Sequence, residues 1–203
     1  FAAGRVHSLF VKRDGSLWGT GGNGYSQLGD GTTESRSSPV RIAQGVATVS
    51  AALSHSLFVK SDGTLWAMGT NGDGQLGDGT NISRSQPVQV AGVIMAAAAG
   101  LGTTLHGHSL FVGRDGTLWT TGYNPYGQLG DGTTINRNLA VQVATEVAAA
   151  AAGTNSSFFV KRDGSLWAMG SNGSGQLGDG TTTSRSVPVG VAAEVVAVAA
   201  GDN

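Results

Sequence analysis

The chain predicts an all-β fold of four like units, each made of four antiparallel strands, and three observations predict it. First, the stretch Asp62-Gly-Thr-Leu-Trp-Ala-Met-Gly-Thr-Asn-Gly-Asp-Gly-Gln-Leu-Gly-Asp-Gly-Thr80 is present four times, starting at Asp14, Asp62, Asp115 and Asp163. It spaces Trp18, Trp66, Trp119 and Trp167 by 48, 53 and 48 residues, and a period near fifty marks an array of supersecondary units. Second, each unit reads as short β-branched, aromatic or alanine runs separated by turn signals. Third, glycine supplies 34 of 203 residues, far above the ~7% average. The glycines sit at fixed places in each repeat, which points to turns that need positive φ rather than to disorder.

The second unit shows how each element arises. Residues 46–52 are small and apolar, the pattern of a fully buried inner strand. Leu53-Ser-His55 is a turn. Residues 56–60 (Ser-Leu-Phe-Val-Lys) form a second strand, ended by Ser61-Asp-Gly63, a strong hairpin signal, and residues 64–68 return as the third. A glycine-rich loop over 69–84 leads to a short outer strand at 87–90, where Pro87 is tolerated because an edge loses no ladder donor. Four such strands, repeated around an axis, make a propeller blade. The units fall at about 1–45, 46–92, 93–145 and 146–193, with inner strands at 46–52, 93–99, 146–152 and 194–200. Residues 194–203 are expected to act as an inner closing strand, either making a small ring or joining a second copy into a larger one.

Side-chain size orders the blade. Alanine-rich strands suit the crowded hub, and the Trp and Phe strands suit the wider middle. Each Trp burying ~200 Å² is worth about 5 kcal/mol gross as an upper bound, so the four are expected to be the largest repeated term between blades.

Composition excludes several function classes. Net charge is −1 and the twelve Lys and Arg are spread along the repeats, which argues against a nucleic-acid groove. No apolar run is long enough to span a bilayer, so no membrane partner is expected. Cysteine is absent, which removes disulfides and thiolate chemistry; a secreted or cell-surface bacterial setting is the expectation. Phe1 falls inside a repeat.

The consensus Ala-Ala-Gly-x-x-His-Ser-Leu-Phe-Val-Lys-x-Asp-Gly-x-Leu-Trp-x-x-Gly-x-Asn-x-x-Gly-Gln-Leu-Gly-Asp-Gly-Thr-Thr-x-x-Arg-x-x-Pro-Val resembles the repeat of the regulator of chromosome condensation family, and its bacterial tandem versions most closely. The resemblance covers essentially the whole chain. It implies a β-propeller, commonly seven-bladed, that presents loops to partner proteins. Members of that family exchange nucleotide on a small GTPase and bind chromatin, sense ultraviolet light, or inhibit β-lactamases. None of these activities carries over residue by residue: each repeat here has one core-strand Trp, and no basic tail is present.

Several constellations recur. Asp30, Asp78, Asp131 and Asp179 sit in glycine-flanked loops, where a calcium site would need a later glutamate that every copy lacks. Asp73 is near-aligned with Ser26, Gly127 and Ser174. An Asx-type turn is the reading adopted. Six residues on come Arg36, Arg84, Arg137 and Arg185, expected to make bidentate Asp–Arg pairs that tie the loop down. His7, His55 and His108 are equivalent, with Ser156 in the fourth copy, and read as hydrogen-bonded structural histidines. No metal or cofactor is expected. No catalytic group emerges either, because the serines after His7 and His55 belong to strands and lack an orienting carboxylate.

Departures from the repeat are the candidate binding residues. The third unit gains five residues around 101–107, bringing Leu101, Leu105 and an exposed His106. On what reads as the other loop set stand Tyr25, Asp73, Tyr126 and Ser174, with Tyr123 and Pro125 beside Tyr126. Loop-tip aromatics on a rigid scaffold anchor protein partners. The expected function is therefore a non-enzymatic protein-binding scaffold, with self-assembly through a second copy as the alternative.

Overall fold

The computed structural model describes residues 1–102 and 105–201 of the chain. Every strand among them falls into one of four antiparallel four-stranded sheets, each in sequential order from hub to rim. Blade 1 comprises β1 (Ala2–Ala3), β2 (His7–Val11), β3 (Leu17–Gly21) and β4 (Arg36–Ala43). Blade 2 comprises β5 (Val46–Ala51), β6 (His55–Lys60), β7 (Leu65–Gly69) and β8 (Arg84–Ala91). Blade 3 runs through β9 (Ile94–Ala99), β10 (His108–Gly113), β11 (Leu118–Gly122) and β12 (Arg137–Ala144). Blade 4 runs through β13 (Val147–Ala152), β14 (Ser156–Lys161), β15 (Leu166–Gly170) and β16 (Arg185–Ala192). The described residues include no helix long and apolar enough to cross a membrane.

The Asp-Gly hairpins set the register. Asp62 Oδ1 accepts from the Thr64 amide at 2.9 Å, Gly63 takes φ +88°, and Lys60 N donates to Thr64 O at 2.9 Å. This fixes Val59 opposite Leu65 and His55 opposite Gly69. The outer strands are longer than the 87–90 stretch suggests: they start at the repeated arginine, and two register shifts against the third strand absorb the mismatch in twist.

Inner strands begin one residue later than expected in the third and fourth units. Val93, Glu146 and Glu194 are instead turn residues with φ of 62°, 61° and 60°, at the place where the first turn has Gly45. Each turn is closed by the next amide: Ile94 N donates to Gly63 O, and Val147 N to Gly116 O. The same bond, Val195 N to Gly164 O at 2.9 Å, starts the next segment, which the expectation of a closing strand at 194–203 covers. Residues 194–201 lie outside any strand, and 202–203 lie outside the described residues.

Blades pack in sequence, β2 on β5, β6 on β9 and β10 on β13, and among the described residues no comparable interface joins the fourth blade to the first. The molecule is an open arc rather than a small closed ring. Between blades the fully buried side chains are Phe58, Phe111 and Phe159 with leucines such as Leu57, Leu76 and Leu110. The tryptophans depart from expectation: they are only half-buried, toward the rim. Trp66 lies parallel to Phe58 at 6.2 Å and Trp167 to Phe159 at 6.3 Å, so phenylalanine and leucine carry the deepest contact.

A β-branched residue in the left-handed region is strained by roughly 1–2 kcal/mol. Val93→Gly is therefore expected to raise the melting temperature, by about 0.5–1 kcal/mol of stability after the entropy cost of glycine. Thermal unfolding of the variant beside wild type checks this; no gain would mean the turn is relaxed.

Candidate functional site

At the hub, each blade is bolted to the next by a repeated chain of polar bonds. His7 Nε2 lies 2.8 Å from Ser56 Oγ, His55 Nε2 3.0 Å from Ser109 Oγ, and His108 Nε2 2.8 Å from Ser157 Oγ. Those serine hydroxyls donate onward to the carbonyls of Gln27, Gln75 and Gln128 at 2.8, 2.7 and 2.8 Å. With the single hydroxyl proton committed there, each imidazole must donate from Nε2. The partnerless Nδ1 of His7 and of His108 faces the glycine of the Ala-Ala-Gly motif. A Cβ at Gly4 or Gly100 would come within 2.6 or 2.7 Å of that nitrogen, so only glycine fits. The three histidines thus serve three separate blade junctions, and no group of acidic, cysteine or histidine side chains able to hold a metal occurs among the described residues.

The long loops are built on asparagines and glutamines that sequence reasoning missed. Asn71 is fully buried, donates from Nδ2 to Asp78 Oδ1 and Thr80 O at 3.0 Å each, and accepts from Leu76 N at 3.0 Å. Asn23, Asn124 and Asn172 repeat the arrangement. The signal available was their fourfold recurrence at one spacing. Asp78 Oδ1 also closes the Asx turn on Thr80 N at 3.0 Å, which leaves Oδ2 for Arg84 Nε and Nη2 at 2.8 and 2.6 Å. The guanidinium therefore grips one carboxylate oxygen rather than forking across both. Arg36 and Arg185 hold Asp30 and Asp179 in the same way, and Arg137 Nε holds Asp131 at 2.8 Å. Burial pushes the Asp78 carboxyl up, but the Thr80 hydroxyl and Arg84 outweigh it and hold the group below the usual carboxylate range.

These loops and the turns after the inner strands emerge at the same end of the blade, because antiparallel order puts the first and third connections together. The insertion and the tyrosine-bearing loops, read from sequence as two loop sets, therefore share one face. Thr70 N bonds Ser54 O and Tyr123 N bonds Gly107 O, both at 2.9 Å. Tyr25, Asp73, Tyr126 and Ser174 are the equivalent positions, each amide donating to the side-chain oxygen of the glutamine two residues on. The near-alignment of Asp73 with Ser26 and Gly127 is off by one.

Asp73 joins two blades: Oδ2 lies 2.9 Å from His106 Nδ1, and Oδ1 accepts from Asn136 Nδ2 at 2.8 Å. His106 stacks on Tyr123 at 4.5 Å, and Gln75 Nε2 holds the Leu105 carbonyl at 2.9 Å. Burial, then Tyr126 and Asp73, push the Tyr123 phenol up, so it stays a hydrogen-bond donor. Tyr25, Asp73, Leu105 and His106 border a hollow of about 540 Å³ fed by three blades. Tyr126 and Pro125 stand exposed on the loop that follows Tyr123, and Tyr25, Leu105 and Tyr126 are 41, 43 and 45% exposed. Leu101 is not part of this hollow; with Leu53 and Arg5 it borders a separate one of about 350 Å³ at the hub. The rest of the 101–107 loop includes 103–104, outside the described residues.

Comparison with known proteins gives the class: a repeat β-propeller. The profile of the Regulator of chromosome condensation (RCC1) repeat matches residues 14–59, 62–105, 115–160 and 163–203, and a second profile of that repeat matches 46–75 and 147–176. The chain belongs to the RCC1 repeat family. No curated protein matches its sequence. Human WBSCR16 is similar in structure, with a TM-score of 0.87 at 24% identity over 98% of this chain and 55% of that one. Prp20p of Saccharomyces cerevisiae, described with its binding to Gsp1p and histones, gives 0.84 at 22% identity over 99% and 53%. Yeast RCC1 (Prp20) bound to Kap60 gives 0.81 at 22% over 94% and 48%. The chain thus spans about half the length of these proteins.

The hub histidines imply a defined pH response. Burial lowers His7 and His108 to about 4 and, with the neighbouring histidines, His55 to about 3, against an ordinary 6.5. The unfolded chain takes up protons below about 6.5 that the folded chain refuses. The stability from neutral imidazoles is complete above that pH and is lost progressively as pH falls toward 4, at about 1.4 kcal/mol per unit for each histidine. Imidazole NMR at pH 5 is expected to show all three neutral; a midpoint near 6.5 for any of them would contradict the geometry.

Proposed function

We propose that the protein is a non-enzymatic binding module whose partner, another protein, docks on the face carrying Tyr25, Asp73, Leu105, His106, Tyr123 and Tyr126. The observation that carries this reading is the junction at Asp73, which binds His106 and Asn136 and so holds loops of neighbouring blades in one arrangement. Fixed loops lower the ordering cost of binding, and half-exposed tyrosines with an aliphatic neighbour have the composition of interface anchors. The protein-binding behaviour of Prp20p supports the class of role without assigning its partners to this chain.

Capture from cells of the source organism tests the reading. Tyr25→Ala with Tyr126→Ala is expected to weaken retention of any specific partner at least about tenfold, some 1.4 kcal/mol, at unchanged melting temperature. Arg13→Ala, on the hairpin at the opposite end, is expected to leave it intact. Retention by the double variant would overturn the assignment.

A second reading, assembly with another copy, is favoured by the flanks of the arc. Ser8 is exposed whereas its equivalents Ser56, Ser109 and Ser157 are buried. Gly178 faces open space, whereas Gly29 and Gly130 meet Met68 and Met169 of the following blade. Each flank presents half of an interface formed three times within the chain. Sedimentation equilibrium is expected to show a dimer or larger species that Ser8→Arg weakens; a monomer at every concentration would exclude it.

A further inference from the structure

The surroundings of the tryptophans differ in one blade, away from the loop face. In blades 1, 2 and 4 a lysine at the end of the second strand lays its ammonium over the neighbouring indole: Lys12 over Trp18 at 3.9 Å, Lys60 over Trp66 at 4.2 Å and Lys161 over Trp167 at 4.9 Å. The π face of indole is negative and attracts a cation. In blade 3 the equivalent of the lysine is Gly113, so Trp119 has no such roof.

Neighbouring positions have changed with it. Between blades 1 and 2 the matching hollow is bordered by Asp30, Arg41, Gln44, Lys60 and Gln86. Between blades 2 and 3, Gly92 replaces Gln44, Leu139 replaces Gln86 and Ala140 replaces Pro87. The resulting groove of about 340 Å³ has only apolar side chains and glycines in its walls, among them Val90, Ile94, Phe111, Trp119, Leu139 and Ala140. A carboxylate stands next to the place the lysine would occupy: Asp115 Oδ1, which accepts from Thr117 N at 2.9 Å, lies 2.5 Å from where a Cβ on Gly113 would stand. Asp14, Asp62 and Asp163 each have the lysine of their own hairpin as a charged neighbour, whereas the cation beside Asp115 is Arg162, from blade 4.

We propose that the Trp119 groove between blades 2 and 3 binds an alkylammonium group supplied from outside the chain, the end of a lysine side chain of a partner. Three sibling blades show what this indole face and this carboxylate accept. The aliphatic stem lies along Val90, Leu139 and Ala140, and the ammonium rests over the Trp119 ring on the side of Asp115. Its remaining hydrogens stay in water, so it is bound without complete desolvation. A free alkylammonium is therefore held weakly, in the millimolar range, and a lysine on a docked partner adds to contacts made elsewhere.

The test follows the four indole N–H signals of the intact protein by NMR while n-butylammonium chloride is added at constant chloride. Trp119 is expected to shift saturably and the other three indoles not to. n-Butanol, of the same length without the charge, is expected to leave Trp119 in place. Gly113→Lys, at a position outside the left-handed region, supplies the missing lysine in the chain once the Asp115 carboxylate turns aside for its Cβ, and is expected to abolish the shift. Absence of a saturable shift, an equal shift with n-butanol, or equal shifts at all four indoles overturns the proposal, and these wild-type comparisons hold even if the variant folds poorly. A shift that persists in folded Gly113→Lys overturns it as well.

Discussion

The structure depends on a bond between neighbours: a histidine of one blade donating to a serine of the next, whose hydroxyl is committed to the carbonyl of the first blade's glutamine. Buried polar groups must be satisfied, and a serine with one proton and two acceptor sites satisfies both partners only in one arrangement. The chain therefore fixes spacing and register at each junction more narrowly than apolar packing alone, which tolerates sliding. Glycine against the imidazole is the steric condition for that approach. Phenylalanine and leucine then fill the space the junction defines.

A rigid junction has consequences at the loops. Glutamine, asparagine and aspartate bind the long loop to its own blade through side chains, and the amide of Gly79 ties it to Asn138 of the next. Loops fixed at both levels place Tyr25, Asp73, His106 and Tyr126 with little left to order when something binds. Departures from the repeat then fall where the bonds need only the backbone of the residue or not that residue at all: the side chains at the tip of each loop, the turn after the inner strand of blade 3, and the rim groove where Gly113 removes a lysine.

Much of the fold was legible because each strand pair is announced locally. Asp-Gly turns, alternation and the alanine runs specify hairpin, middle strands and hub without reference to distant residues. What was not legible depended on neighbouring blades. Val93, Glu146 and Glu194 look like strand residues by composition and become left-handed turns because the next amide must reach the preceding hairpin carbonyl. Tryptophan looks like the deepest residue by size, yet its lysine roof and rim position leave the depth to Phe58 and Phe111. Gln75 reads as one more polar loop residue, although its carbonyl anchors one blade to the next and its amide anchors the insertion. At the candidate face the residue types were visible as departures from the repeat, but their convergence required the strand order.

A double-mutant cycle on His55 and Ser109, read by urea unfolding, tests the central claim most directly. If the hub junction is a single coupled unit, His55→Ala and Ser109→Ala each destabilise the protein, and the double variant falls short of their sum by about 1–3 kcal/mol. Strict additivity, with a coupling energy indistinguishable from zero, would show that packing alone sets the blades and would contradict the account.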